Sequence, residues 1–227
     1  MPNDAVLFLK ALKEDGVEHL FLPSRSKNPA ASTPSKKTAS LKDEMLDLRA
    51  EVMKCKQCSI LVKNRTKIVF GAGNIRAKIV FVGEAPGRDE DQQGIPFVGR
   101  AGQLLTKIIE AMGFSRQEVF ICNVLKCRPP DNRAPAPDEA VNCLPFLKRQ
   151  LELIQPRVIV ALGNHACQAL LRTDRGISQL RGSFQDYAGI PVMCTYHPAY
   201  LLRSPSEKKK VWEDMKKVLQ FLSKTND

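Results

Sequence analysis

The sequence predicts an α/β fold: three layers, αβα, around a central, mainly parallel four-stranded sheet. Three observations carry that expectation. Four short apolar runs rich in β-branched residues, at 78–82, 119–125, 157–162 and 191–195, read as buried strands. Segments with helical spacing lie between them and after the last. The first run ends in Gly83-Glu84-Ala85-Pro86-Gly87, a Gly/Pro-rich turn bearing a carboxylate, at the kind of sheet edge where α/β domains build pockets. Because the runs are continuous rather than alternating, both faces of the sheet should be covered by helices.

Taken in order, residues 6–21 can form a short helix. Residues 23–40 are rich in Ser, Pro and Lys, contain no acid and have almost no apolar side chain. Such a stretch buries too little surface to offset its ordering entropy. The chain therefore divides into an N-terminal appendage with a flexible basic linker, 1–40, and one domain, 41–227. Leu41, Met45, Leu48 and Val52 recur at helical spacing. Residues 101–112 predict a helix ended by Gly113. Another helix opens at Pro137, with Asp138 and Glu139 in its first turn, where the helix dipole favours acids. Asn164 is placed to cap the helix after the third strand. Residues 207–221 form the last helix.

The chain has 227 residues, of which 43% are apolar, enough for a sizeable core. A net charge of +11 favours a polyanionic partner, nucleic acid first, over a membrane surface. No apolar run reaches the length of about 18 residues that a membrane span requires. The first residues mix charged and apolar side chains rather than forming a signal peptide, so a cytoplasmic protein is expected.

Seven cysteines in a reducing compartment argue for a metal or cluster site over disulfides. Cys55 and Cys58 form a C-x2-C pair, and fifteen residues separate Cys127 from Cys143. Four thiolates suit a tetrahedral zinc or a 4Fe–4S cluster, and spacing alone does not choose. Cys122, Cys167 and Cys194 lie in element interiors and read as small buried hydrophobes.

Several side chains point to a binding site. Asn123 sits inside an apolar strand, where an amide is costly unless paired, by backbone or by a ligand. Phe97 lies in the turn-rich stretch Gly94-Ile95-Pro96-Phe97-Val98-Gly99, as a core ring or a pocket wall. His197 follows a strand end and precedes a proline. His165, beside Asn164, reads as structural. By charge alone, Asp89-Glu90-Asp91 is a solvated acidic turn.

Together, Gly83-Glu84-Ala85-Pro86-Gly87, the cysteine spacing with Lys126-Cys127-Arg128-Pro129-Pro130, and His197-Pro198-Ala199-Tyr200-Leu201-Leu202-Arg203 closely resemble the family 4 uracil-DNA glycosylases. The resemblance runs from about Leu41 to Phe221. It implies a monofunctional DNA repair hydrolase that releases uracil from DNA and leaves an abasic site. It tips the cysteine site toward a structural 4Fe–4S cluster held by Cys55, Cys58, Cys127 and Cys143. It implies that Phe97 stacks on the extruded base, and that the Asn123 amide reads uracil O4 and N3–H and refuses cytosine. Glu90 would lie beside C5 and exclude the thymine methyl, with Ala85 and Gly87 also lining the substrate pocket. His197 would donate to uracil O2 as the base leaves. Glu84 would orient water or stabilise charge on the sugar. Other members of the superfamily place an aspartate one position later, where this chain has Ala85.

Leu201 or Leu202 would fill the gap in the base stack, with Arg203 on a flanking phosphate. Arg100, Lys126, Arg128, Arg133 and the run Lys208-Lys209-Lys210 are further phosphate contacts expected from charge. The partner is uracil-containing DNA, single- or double-stranded, met by a monomer with no membrane role. Relatives that stay attached to the abasic sugar carry an extra basic loop with a histidine, which Asn132-Arg133-Ala134-Pro135 lacks. The alternative of another class is a non-catalytic iron–sulfur DNA-binding module of a repair or replication assembly. It accounts for charge and cysteines but not for Phe97, Asn123 and His197 together.

Overall fold

The computed structural model describes residues 40–224. The expected helix at 6–21 and, but for Ser40, the linker at 23–40 lie outside the described residues. The elements run α1 (Leu41–Met53), α2 (Ser59–Asn64), β1 (Ala72–Gly73), β2 (Ile79–Gly83), α3 (Arg88–Gln93), α4 (Arg100–Ala111) and β3 (Phe120–Asn123). They continue through α5 (Pro137–Ile154), β4 (Val158–Leu162), α6 (Asn164–Leu171), α7 (Ile177–Leu180), β5 (Phe184–Tyr187), β6 (Ile190–Thr195), α8 (Pro198–Arg203) and α9 (Lys208–Lys224). Among the described residues, no helix is long and apolar enough to cross a membrane.

The sheet order is β1-β3-β2-β4-β6-β5. The four central strands, β3, β2, β4 and β6, run parallel and are the four expected from the sequence. The sheet is wider and more mixed than expected, because β1 and β5 add antiparallel edges. β1 has two residues, too few to leave a pattern. β5 alternates exposed and half-buried positions with Gln185 and Asp186 among them, so it lacks the apolar run of a buried strand.

Successive strand residues feed opposite faces, and two separate cores result. Val80, Val82, Phe120, Cys122, Ile159, Ala161, Val192 and Cys194 pack with α1, α5 and α6. Ile79, Phe81, Ile121, Val158, Val160 and Met193 pack with α4, α8 and α9. This is the αβα layering that the continuous runs predict. Cys122, Cys167 and Cys194 are fully buried in the first core.

Helix ends follow local chemistry, with one departure. Glu139 Oε2 accepts the Ala136 N–H at 2.8 Å, closing the start of α5 ahead of Pro137. Asn164 does not cap α6. Gly163 holds that position at φ +89°, and Asn164 Oδ1 instead accepts from Ile177 N, at the start of α7, at 3.0 Å. Gly163 is required twice over, because a Cβ there would also lie 2.9 Å from His197 Cβ.

From β2 the chain passes to β3 on one side and to β4 on the other. At such a reversal α/β sheets place their ligand sites, outside the carboxyl ends of the strands. Gly83, Asn123, Leu162 and Thr195 end those four strands.

Candidate active site

Gly83 ends β2 directly opposite Asn123, which ends β3. A Cβ at Gly83 would lie 2.4 Å from Asn123 Oδ1 and 2.5 Å from Phe97 Cζ. Both side chains therefore crowd the space that glycine leaves empty. Asn123 is 1% exposed, and neither its amide nitrogen nor its amide oxygen has a partner among the described residues. A buried amide unpaired at both ends is rare in a folded protein and costs about 1–3 kcal/mol.

Phe97 is held at a positive φ of 53°, a conformation that aromatic side chains seldom adopt. Its backbone lies against Gly102, where a Cβ would sit 1.9 Å from Phe97 O. Glu90 secures the same loop. Its Oε1 accepts from Val98 N and Gly99 N at 2.9 and 3.0 Å, and its Oε2 accepts from Gly87 N at 3.1 Å. The acidic turn is thus anchored: Glu90 staples the Gly87 turn to the Phe97 loop, and Asp91 is buried, accepting from Thr66 N.

His197 faces Phe97, with ring centroids 5.6 Å apart and planes inclined by 33°. Its Nδ1 accepts from Ala199 N at 3.1 Å, capping α8. That bond assigns the proton to Nε2, leaving Nε2–H to donate. Burial, reinforced by the Arg203 charge, pushes the His197 pKa down to about 4. The imidazole is therefore neutral at physiological pH.

Glu84 lies at the rim, one residue beyond β2. Its Oε2 meets His165 Nδ1 at 2.8 Å. His165, read from the sequence as structural, is thus a partner of the Glu84 carboxylate. Its position just beyond the end of β4, the strand beside β2, was the available signal. Ala85 is half-buried against the first core, and Gly87 caps α3.

The expected DNA contacts sort differently. Leu201 is 1% exposed and packs in the second core, so it is a structural leucine. Leu202, at 44%, and Arg203 face solvent. Lys126 is no phosphate contact, since it is 1% exposed with its amino group bonded inside the protein. Arg133 is engaged with Glu139 at 2.6 Å, and Arg128 Nε donates to Asn132 Oδ1. Arg100 and Lys208-Lys209-Lys210 remain exposed.

Cys55, Cys58, Cys127 and Cys143 line one narrow cleft, partly open to solvent, with Val52, Leu61, Ile68 and Phe146 as apolar walls. Three of the sulfurs accept N–H groups: Cys127 from Arg65 Nη1 at 3.0 Å, Cys143 from Lys126 N at 3.3 Å, and Cys58 from Asn142 Nδ2 at 3.8 Å. Burial pushes the thiols of Cys58 and Cys127 up and that of Cys143 up to about 11. A metal centre binding here would have to displace those protons. As they stand, no three described His, Cys, Asp or Glu side chains converge closely enough to hold a single ion.

A sequence model of the Uracil DNA glycosylase superfamily matches residues 70–216. The type-4 uracil-DNA glycosylase of Thermotoga maritima is 45% identical over 188 residues, covering 81% of this chain and 97% of that protein. The type-4 enzyme of Saccharolobus solfataricus is 47% identical over 188 residues, covering 78% and 87%. A type-5 uracil-DNA glycosylase of Pyrobaculum aerophilum is more distant, at 32% over 146 residues, covering 57% and 64%. The cluster of Gly83, Asn123, Phe97 and His197 falls within the matched span, and the chain belongs to the uracil-DNA glycosylase superfamily, in its type-4 family.

Proposed function

We propose that the protein is a monofunctional uracil-DNA glycosylase that hydrolyses the N-glycosidic bond of deoxyuridine in DNA, releasing uracil and leaving an abasic site. The observation that carries this reading is Asn123, buried with a donor and an acceptor both unpaired, in a cluster with Phe97 and His197 at the strand ends. An amide so placed is completed by a flat base offering an N–H and a carbonyl side by side, as uracil does at N3 and O4.

Phe97 supplies the face on which the extruded ring stacks. Nε2–H of His197 donates to O2, where negative charge develops as the base departs, and a neutral imidazole suffices for that task. Glu84, held by His165, acts at the sugar. A carboxylate there orients the attacking water or stabilises the oxocarbenium-like charge. Ala85 and Gly87 form the turn below the base. Glu90 acts at C5 by holding that turn and the Phe97 loop together, so that little room is left for a methyl group. Lys126 has its amine engaged by two acceptors, so it is not available as a Schiff-base former.

The cysteine cleft fits a 4Fe–4S cluster held by Cys55, Cys58, Cys127 and Cys143. The four sulfurs share one cleft, and N–H groups already point at three of them, as the outer hydrogen bonds of a thiolate-held cluster do; the family resemblance favours the cluster over zinc. Glycosidic hydrolysis needs no electron transfer, so the group would serve as a cross-link between the end of α1, the Cys127 loop and α5. Cys55→Ser is expected to lower Tm by roughly 10 °C and to reduce soluble yield, while activity per folded molecule is largely kept. A variant that melts normally yet releases no uracil would contradict the structural role.

DNA contact is expected from Leu202, Arg203 and the exposed cations. Leu201→Ala should cost about 2–4 kcal/mol of stability, as a buried leucine does. Leu202→Ala should leave stability within about 0.5 kcal/mol, yet slow uracil release from duplex DNA by roughly tenfold while sparing single strands. Denaturant melts and paired duplex and single-strand assays on both variants check this.

The primary test incubates the protein with labelled oligonucleotides carrying U·G, U·A, T·G or single-stranded U, followed by alkali. Alkali-dependent cleavage at uracil and none at T·G is the expected result. Binding without cleavage would favour a non-catalytic DNA-binding module instead.

A further inference from the structure

We propose that Lys126 is a positioning residue for uracil recognition, and that it links the cysteine cleft to the Asn123 amide. The inference deepens the function proposed above and rests on it. Lysine is among the residues least often buried, and it tolerates burial only when its amino group is fully engaged. Here Nζ donates to the backbone oxygen of Asn123 at 2.7 Å and to Gln150 Oε1 at 2.6 Å. Gln150 is itself 0% exposed, and its Nε2 donates to Phe70 O at 2.9 Å. The amine is therefore held inside the protein by two buried acceptors, out of reach of solvent and of phosphate.

The location of that chain gives it a consequence. The peptide between Asn123 and Val124 is fixed at both polar atoms. Its N–H, on Val124, donates to Gly83 O at 2.9 Å, and its carbonyl accepts from Lys126 Nζ. β3 ends at this peptide, so no neighbouring strand supplies the second bond. Lys126 supplies it and thereby fixes the backbone torsion from which the Asn123 side chain projects. The amide has no bond of its own to hold it before the base arrives, so its aim depends on this backbone.

The same residue reaches the cysteine cleft through its main chain. Lys126 N donates to Cys143 Sγ, Lys126 O accepts from Val69 N at 2.8 Å, and Cys127 follows in sequence. Whatever the four sulfurs hold thus shares one residue with the strand end that reads the base. A site engaged in this way acts as a unit, and its contributions do not add.

The test is a double-mutant cycle of Lys126→Met and Asn123→Ala on the full chain. Single-turnover uracil release is measured together with Kd for a uracil-containing oligonucleotide and for the same strand carrying thymine. Lys126→Met is expected to lower kcat/KM by roughly 30-fold and to bring the two Kd values together, with Kd for the thymine strand unchanged. Asn123→Ala is expected to lose more, and the double variant no more than Asn123→Ala alone. Metal content and absorbance near 400 nm report whether the cysteine site is still filled. Multiplicative losses, or an unchanged ratio of the two Kd values, would overturn the proposal. Should Lys126→Met fail to fold, Gln150→Leu replaces it, removing one of the two acceptors of Nζ. It should give a smaller loss that again disappears on the Asn123→Ala background, and additivity there would overturn the proposal equally. Failure of the wild type to release uracil would instead sink the glycosylase reading itself.

Discussion

Asn123→Ala is expected to lower kcat/KM for uracil release by about 10²–10³-fold while leaving the protein as stable as before. Two hydrogen bonds to the base disappear, together worth about 3–4 kcal/mol in a dry site. The stability side is less usual. In the free protein both amide atoms are buried and unpaired. Removing them relieves a penalty of about 1–3 kcal/mol, which offsets the small void the substitution leaves. Single-turnover rates beside thermal melts check both halves. A variant that keeps its activity within tenfold, or that loses stability in proportion to its rate, would mean that Asn123 is a core residue.

His197→Ala should cost a similar factor, about 10²–10³ in kcat, as the loss of one oxyanion donor does elsewhere. The wild-type pH profile discriminates further. Burial lowers the His197 pKa from 6.5 to about 4, so Nε2–H of a neutral ring is present throughout the working range. The rate should therefore show no His197 inflection near 6.5. Stability behaves otherwise. The unfolded chain protonates this histidine near 6.5 and the folded protein only near 4, so between those values the unfolded state binds more protons. The contribution of His197 is fully present above pH 6.5 and is lost as pH falls through about 4. A rate inflection near 6.5 that vanishes in His197→Ala would argue for a charged imidazole.

How much of this was legible beforehand depended on whether the signal was local. The central strands were readable because a strand buried on both faces is a continuous apolar run, as in Ile79-Val80-Phe81-Val82. The edges were not, since two residues or a half-exposed Phe184-Gln185-Asp186-Tyr187 carry no such run. Asn123 stood out because an amide conflicts with the apolar strand around it, whereas Phe97 and His197 were picked out chiefly by the family resemblance of the motifs that hold them. The roles of His165 and Lys126 were hidden because their partners Glu84 and Gln150 lie 81 and 24 positions away. Charge alone made Lys126 resemble a surface cation. Leu201 and Leu202 could not be told apart by type. The turn of α8 decides, sending one side chain into the core and the other outward.

The cysteine cleft also constrains how the protein is made. Its sulfurs come from the loop after α1, from the segment after β3 and from the first turns of α5. Two of them precede β1 and two follow β3, and closing the long loop between the pairs costs entropy that only the assembled domain recovers. If the cleft takes the proposed cluster, that cluster is completed only after translation of Cys143 and docking of α1 on α5. Such a group would lock a packing that α1 and α5 have already made, rather than nucleate it.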